Sequence, residues 1–130
     1  MNIHEELFVR NFITPAKRHR YLSMLESKKS RDKIIAGLYH CLDLDERYAT
    51  LIQPNEQHFE LIYKNLKSKG ATDRCYAMST NKAIDTKELE LLDALELVIG
   101  QGDGALVSCI PGKLAYFELE DPGERYILER

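Results

Sequence analysis

The stretch ALVSCIPGKLAYFELEDPGERYILE, residues 105–129, decides the fold. Two tight turns divide it into three apolar runs. Pro111-Gly112 fits the central positions of a type II turn, because proline fixes φ at about −65° and glycine accepts the positive φ of the next position. Asp121-Pro122-Gly123-Glu124 predicts the second turn. The stretch therefore predicts three consecutive strands, at residues 105–110, 113–119 and 125–129.

The run at 113–119 carries apolar side chains on both faces of a strand. Successive strand residues point to opposite faces, so Leu114 and Tyr116 share one face while Ala115 and Phe117 share the other. This pattern predicts a central strand, which is covered on both sides. Residues 74–79 predict a further strand earlier in the chain.

The first half of the chain is typical of helices. Thr14-Pro15 predicts a helix start, because threonine caps free N–H groups and proline lacks the N–H that would stay unbonded there. This helix is expected to end near residue 27. Ser30 predicts the cap of a second helix that runs to about residue 43. Its apolar stripe is Ile34, Ile35, Leu38 and Leu42.

Three more helices are expected. A short one is predicted at residues 5–12, and Asn55 predicts the cap of another, with Gly70 at its C-terminal end. The last helix ends near Ile99, and it begins either in a capping box at Asp85 or as late as Glu90. Its predicted core face is Leu91, Leu92, Leu95, Val98 and Ile99. The segment 44–54 has no clear period and predicts a loop.

We therefore predict an α+β fold, in which a helical N-terminal half packs on a small, mostly antiparallel C-terminal sheet of three to four strands. The 130 residues match the usual size of one domain, and 44% hydrophobic with 30% charged residues is typical of a globular protein. No internal repeat, low-complexity tract or linker divides the chain. Residues 1–130 are predicted to form a single domain.

Charge is distributed unevenly along the chain. Residues 1–40 carry a formal net charge of +4, residues 41–82 are neutral and residues 83–130 carry −7, which gives −3 in total. If the basic and acidic parts pack together, this polarity belongs to the fold. If they face outward on opposite sides, it indicates a binding role.

Basic residues cluster at the junction of the two helices predicted between residues 14 and 43. This hairpin is the candidate contact with another macromolecule, through Lys17, Arg18, Arg20, Lys28, Lys29 and Arg31. Such a cluster suits nucleic-acid phosphates or an acidic protein surface. Because the whole chain is acidic, with a net charge of −3, a protein partner is favoured and nucleic acid is disfavoured.

The glycine-dense stretch 100–104 and Cys109 define a second candidate site. Glycine-rich loops bind phosphate where they follow a strand and precede a helix, but the predicted order here is helix, loop, strand. A nucleophilic cysteine needs a nearby cation or helix N-terminus, and all 4 histidines lie in the helical half. An enzyme or small-ligand binder would have Cys109, Tyr116 and Gly102 at the edge of its pocket.

Histidines and cysteines show no spacing typical of a metal site, and no cofactor motif is present. The 3 cysteines, Cys41, Cys75 and Cys109, lie far apart, which fits reduced thiols better than a disulfide framework. The N-terminus does not resemble a signal peptide, and no apolar stretch approaches the ~20 residues that span a membrane. These features predict a soluble cytoplasmic protein without metal, cofactor or membrane contact.

These patterns favour a non-enzymatic protein-binding or regulatory module, because no nucleophile–base pair, metal spacing or cofactor motif stands out. Two alternatives stay open. One is an enzyme or small-ligand binder with its site near Cys109 and the 100–104 loop. The other is nucleic-acid binding through the basic hairpin. The sequence specifies neither substrate nor partner, and a homodimer is compatible with it.

Overall fold

A computed structural model of the chain describes residues 2–120 and 124–130. Five α-helices lie in this described part: α1 (Ile3–Phe12), α2 (Pro15–Leu25), α3 (Lys28–Gly37), α4 (Phe59–Ser68) and α5 (Leu91–Val98). The strands are β1 (Ala49–Leu51), β2 (Arg74–Ser79), β3 (Glu88–Glu90), β4 (Ala105–Ile110), β5 (Leu114–Glu118) and β6 (Arg125–Glu129). Short 3₁₀ helices cover Leu38–His40, Glu46–Tyr48 and Pro54–Glu56.

The six strands form one antiparallel sheet in the order β1-β6-β5-β4-β2-β3. The prediction of an antiparallel sheet with helices is confirmed, but the prediction of three to four strands is wrong. The additional strands, β1 and β3, are three-residue strands at the two edges. Three residues are too few to show the alternation by which a strand is recognised. β1 lies inside the segment predicted as a loop.

Helices cover both faces of the sheet. Phe8 and Phe12 of α1, with residues of α2 and α3, pack on the face that carries Met78 and Phe117. α4 and α5 pack on the opposite face, where Tyr116 is enclosed. The predicted separation into a helical N-terminal half and a C-terminal sheet therefore holds only loosely. The sheet lies between two helical layers because its central strands are apolar on both faces.

Local signals set most helix boundaries, with some shifts. α2 begins at Pro15 as predicted. α3 begins earlier than predicted, because the Ser27 side chain, not that of Ser30, accepts the N-terminal N–H bond. α4 begins at Phe59 rather than near Asn55, which lies in a 3₁₀ turn. α5 begins at Leu91, the later of the two expected starts.

The first predicted turn is present. The Lys113 N–H donates to the Ile110 carbonyl at 3.0 Å, and Gly112 has a φ of +70°. With Pro111 before it, this is the type II arrangement. The Asn11 side chain donates to the Gly112 carbonyl at 2.9 Å, which joins the turn to α1. The second predicted turn, at 121–124, falls on residues 121–123, which lie outside the described residues.

Candidate functional site

The predicted basic hairpin is only partly a surface. Lys17, Arg20, Lys28 and Lys29 are exposed on α2 and α3. Arg18 is half-buried, and it donates to the Ile13 carbonyl at 2.8 Å and contacts Asp45. Its guanidinium therefore stabilises the fold and is withdrawn from the predicted macromolecule contact.

Arg31 is also withdrawn, because it is the centre of an internal ionic cluster. Its side chain is 12% exposed and makes paired hydrogen bonds with two carboxylates, those of Glu5 and Asp85, at 2.8–3.0 Å. The Tyr76 hydroxyl donates to Glu5, and Asp85 accepts the Ser79 N–H. These bonds hold the pKa of Arg31 above its ordinary value, with the Asp85 bond the largest cause. The cluster joins α1, α3, β2 and the loop before β3.

The uneven charge distribution of the chain is little neutralised by ion pairs between its basic and acidic segments. Among the described residues, Arg31–Asp85 is the one ion pair that joins the basic segment 1–40 to the acidic segment 83–130. Of the other basic residues of the hairpin, Arg18 pairs with Asp45, and Lys17, Arg20, Lys28 and Lys29 form no ion pair within the described part of the chain. α2 and α3 therefore carry a positively charged surface.

The glycine-dense loop 100–104 binds a carboxylate of the protein itself, that of Glu118. The N–H groups of Gly100 and Gly102 donate to the Glu118 carboxylate at 3.1–3.2 Å. The same carboxylate accepts from the Tyr116 hydroxyl and contacts Arg125 at 3.3 Å. Backbone N–H groups that suit an external phosphate are thus used to satisfy a buried side chain.

Cys109 and Tyr116 lie inside the core rather than at the rim of a cleft. Cys109 is 6% exposed and packs with Cys75 in the apolar cluster beneath α4 and α5. Burial raises the pKa of Cys109 to about 12 and that of Cys75 to about 11, so both thiols stay protonated at neutral pH. Of the three residues predicted at a pocket edge, Cys109 and Tyr116 are thus buried, and Gly102 is half-buried.

A serine–histidine pair, Ser108 with His4, was not predicted from the sequence. His4 Nδ1 lies 2.7 Å from Ser108 Oγ, and the imidazole stacks on the Tyr76 ring. Adjacent strand residues face opposite ways, so Ser108 meets His4 of α1 while Cys109 points to the other face of the sheet. Ser108 is 3% exposed, which gives a substrate little access to its hydroxyl. The pair fixes the start of α1 on the sheet.

The His4 contact predicts a pH dependence of stability. Partial burial lowers the pKa of His4 below its ordinary value, and Glu88 opposes this only in part. A histidine with a lowered folded-state pKa stabilises the fold above its unfolded pKa of about 6.5, and this contribution is lost as the pH falls below that value. The free energy of unfolding, measured by chemical denaturation, should therefore fall from about pH 8 to about pH 5.5. In His4→Gln this fall should be smaller; an identical fall would contradict the assignment.

A projecting leucine is the most exposed of the large apolar side chains in the described part of the chain. Leu42 is 90% exposed, although it was predicted in the core stripe of the second helix. That helix ends at Gly37, a residue that disfavours helical continuation, and a 3₁₀ turn follows. The chain then extends from Cys41, so helical spacing no longer applies to Leu42.

The backbone around Leu42 is fixed on both sides. The Tyr21 hydroxyl donates to Asp43 at 2.6 Å and lies 3.9 Å from the Cys41 sulfur. The Asp43 carbonyl accepts the Thr14 N–H at 2.8 Å. Because Cys41 and Asp43 both face Tyr21, Leu42 between them points away from the protein. Leu42 is therefore held in place and exposed at the same time.

Two grooves of opposite charge flank Leu42. The groove on one side, here the basic groove, has a volume of about 340 Å³ and is floored by Met24, Ile34 and Leu38. Its lining also includes Arg20, Lys33 and His40 together with one carboxylate, that of Asp43, so basic side chains outnumber acidic ones.

The groove on the other side, here the acidic groove, has a volume of about 360 Å³. Its apolar wall includes Leu51 and Tyr126, and its acidic residues are Glu46 and Glu124. Burial raises the pKa of Tyr126, and the charges of Glu124 and Glu46 add to the effect. We call Leu42 with the two grooves the Leu42 surface.

Comparison of the chain with known protein families, with curated proteins and with solved structures finds no match. The described residues contain no group of three or more His, Cys, Asp or Glu side chains placed to hold a metal ion. None of the helices in residues 2–120 and 124–130 combines the length and the apolar character that crossing a bilayer requires.

Proposed function

We propose that this protein is a non-enzymatic protein-binding module, and that the Leu42 surface is where it binds. The observation that carries the proposal is the 90% exposure of Leu42 on a backbone fixed by hydrogen bonds. An apolar side chain exposed to water is unfavourable. A partner that covers Leu42 removes this unfavourable contact, and the binding is stabilised by that free energy. A fixed backbone also loses little conformational entropy on binding.

The surroundings of Leu42 support a protein partner over nucleic acid. Leu42 and the floor of the basic groove offer apolar contacts, which favour a partner with apolar side chains. The acidic groove beside it repels phosphate, and Arg18 and Arg31 are engaged inside the protein.

Leu42→Ser should weaken partner binding by roughly ten- to a hundredfold, because burying a leucine contributes about 1.5–3 kcal/mol. The free energy of unfolding should change by less than about 0.5 kcal/mol, since an exposed side chain contributes little to the fold. Denaturant titration measures the second value and binding isotherms the first.

The test uses a photoreactive amino acid, p-benzoylphenylalanine, in place of Leu42 in the full chain. Irradiation in cells of the source organism should give a covalent adduct with a protein, identified by mass spectrometry. The matched control carries the probe at Leu61, an exposed leucine of α4 on the other side of the sheet. Adduct formation at both positions alike, or at neither, would contradict a docking role for the Leu42 surface.

A further inference from the structure

We propose that the partner of the Leu42 surface is a second copy of this chain, related to the first by a two-fold axis that passes near Leu42. The inference rests on the proposed function, since it names the occupant of the same surface. In a two-fold interface, the same patch of both copies is used, and each contact occurs twice. The patch must therefore be complementary to itself.

The charges of the two grooves meet this requirement. The basic groove and the acidic groove lie on opposite sides of Leu42, and both are lined by Cys41 and Leu42. Rotation by half a turn about an axis near Leu42 exchanges the two sides. Each basic groove then faces the acidic groove of the other copy, so that Arg20 and Lys33 meet Glu46 and Glu124 of the second chain.

The charged side chains on both rims are free to make these contacts. Within the described residues, Arg20, Lys33, Glu46 and Glu124 take part in no ion pair of their own chain. In the monomer each of these side chains is in contact with water. Two-fold association gives all four an oppositely charged partner.

The apolar side chains have the same self-complementary arrangement. Leu42 lies between the grooves, and Leu51, which is 45% exposed, lines the acidic groove. Two-fold rotation brings the two Leu42 side chains together near the axis, where both lose contact with water.

Other occupants match only half of this surface. An acidic peptide or a nucleic acid would suit the basic groove but would be repelled by Glu46 and Glu124 in the acidic groove. A basic peptide would suit the acidic groove but would be repelled by Arg20 and Lys33 in the basic groove. A partner that satisfies both grooves must carry the opposite charges in the reverse order, and this chain carries them.

The experiment is a charge-reversal test on the full chain by sedimentation velocity. The first variant, Arg20→Glu with Lys33→Glu, makes both grooves acidic. The second, Glu46→Lys with Glu124→Lys, makes both basic. The wild type should sediment as a dimer that dissociates at high salt, and each variant alone should be at least about a hundredfold weaker.

Mixing the two variants should restore the dimer, because each acidic groove then faces a basic one. Lys28→Glu with Lys29→Glu is the matched control: it makes the same charge change on the same hairpin, outside both grooves. This control should remain dimeric, and thermal unfolding should show that all variants fold.

The remaining outcomes separate this inference from the proposed function. A wild-type monomer together with a Leu42 adduct to a different protein overturns the second-copy inference and supports the proposed function. A monomer without any adduct overturns both. The second-copy inference is also overturned if both charge-reversed variants still form dimers, or if mixing them does not restore the dimer. In either case the contact would lie elsewhere.

Discussion

Replacing Arg31 with methionine is expected to lower the free energy of unfolding by about 3–5 kcal/mol, the usual cost of removing one member of a buried ionic cluster. The guanidinium donates to both Glu5 and Asp85, and Glu5 is only 3% exposed. Methionine fills similar space but donates no hydrogen bond. Two carboxylates would then face each other without a cation, and most of the loss is the cost of leaving them unpaired.

Lys29→Met is the matched control for this experiment. Lys29 lies two residues before Arg31 on α3 and is exposed, so its loss should change stability by less than about 0.5 kcal/mol. Urea denaturation of both variants measures the difference. A loss below about 1 kcal/mol in Arg31→Met would show that the cluster does not hold α1, α3 and the loop before β3 together.

Gly104→Ala should destabilise the protein by at least about 2 kcal/mol, from a left-handed backbone and from overpacking together. Gly104 has a φ of +71°, which L side chains rarely adopt. A Cβ atom there would lie 2.2 Å from the Tyr39 nitrogen and 2.3 Å from its Cα. Because both of these are backbone atoms, no side-chain rotation relieves the overlap.

Gly37→Ala is the paired control, since it adds the same methyl group where space is available. A Cβ at Gly37 meets no atom within 4 Å, and its φ of −95° suits any residue. This variant should gain about 0.4–1 kcal/mol, because alanine reduces the freedom of the unfolded chain. Equal melting temperatures for the two variants would mean that the approach of Gly104 to Tyr39 is not constrained.

The sequence predicted the long elements of the fold better than the short ones. β2 and β6 have the predicted limits, and α2 begins at the predicted Pro15. Their signals are local: apolar runs, turn residues and a proline at a helix start. The edge strands β1 and β3 were missed because each has only three residues and is defined by its pairing, β1 with the distant β6 and β3 with β2. Sequence periodicity does not report such pairing.

The candidate site was less predictable, because it depends on which residues meet. Arg31 was expected on the surface, and nothing near it in sequence indicated Asp85 as a partner. Leu42 continued the helical period of α3, yet the helix ended at Gly37. Helical spacing also placed Leu92 in the core face of α5, where it is 41% exposed. Nor did the basic character of the hairpin distinguish Arg18 and Arg31, which have internal partners, from the exposed side chains around them.

The short edge strands limit how this protein can aggregate. β1 and β3 each offer only three residues of free backbone, and β3 carries Glu88 and Glu90. A neighbouring chain that added a strand at either edge would gain few hydrogen bonds and would meet these charges. Growth of a fibril by addition of strands is therefore disfavoured at both edges of the sheet. The two-fold association that we propose uses side chains, so the short edge strands do not oppose it.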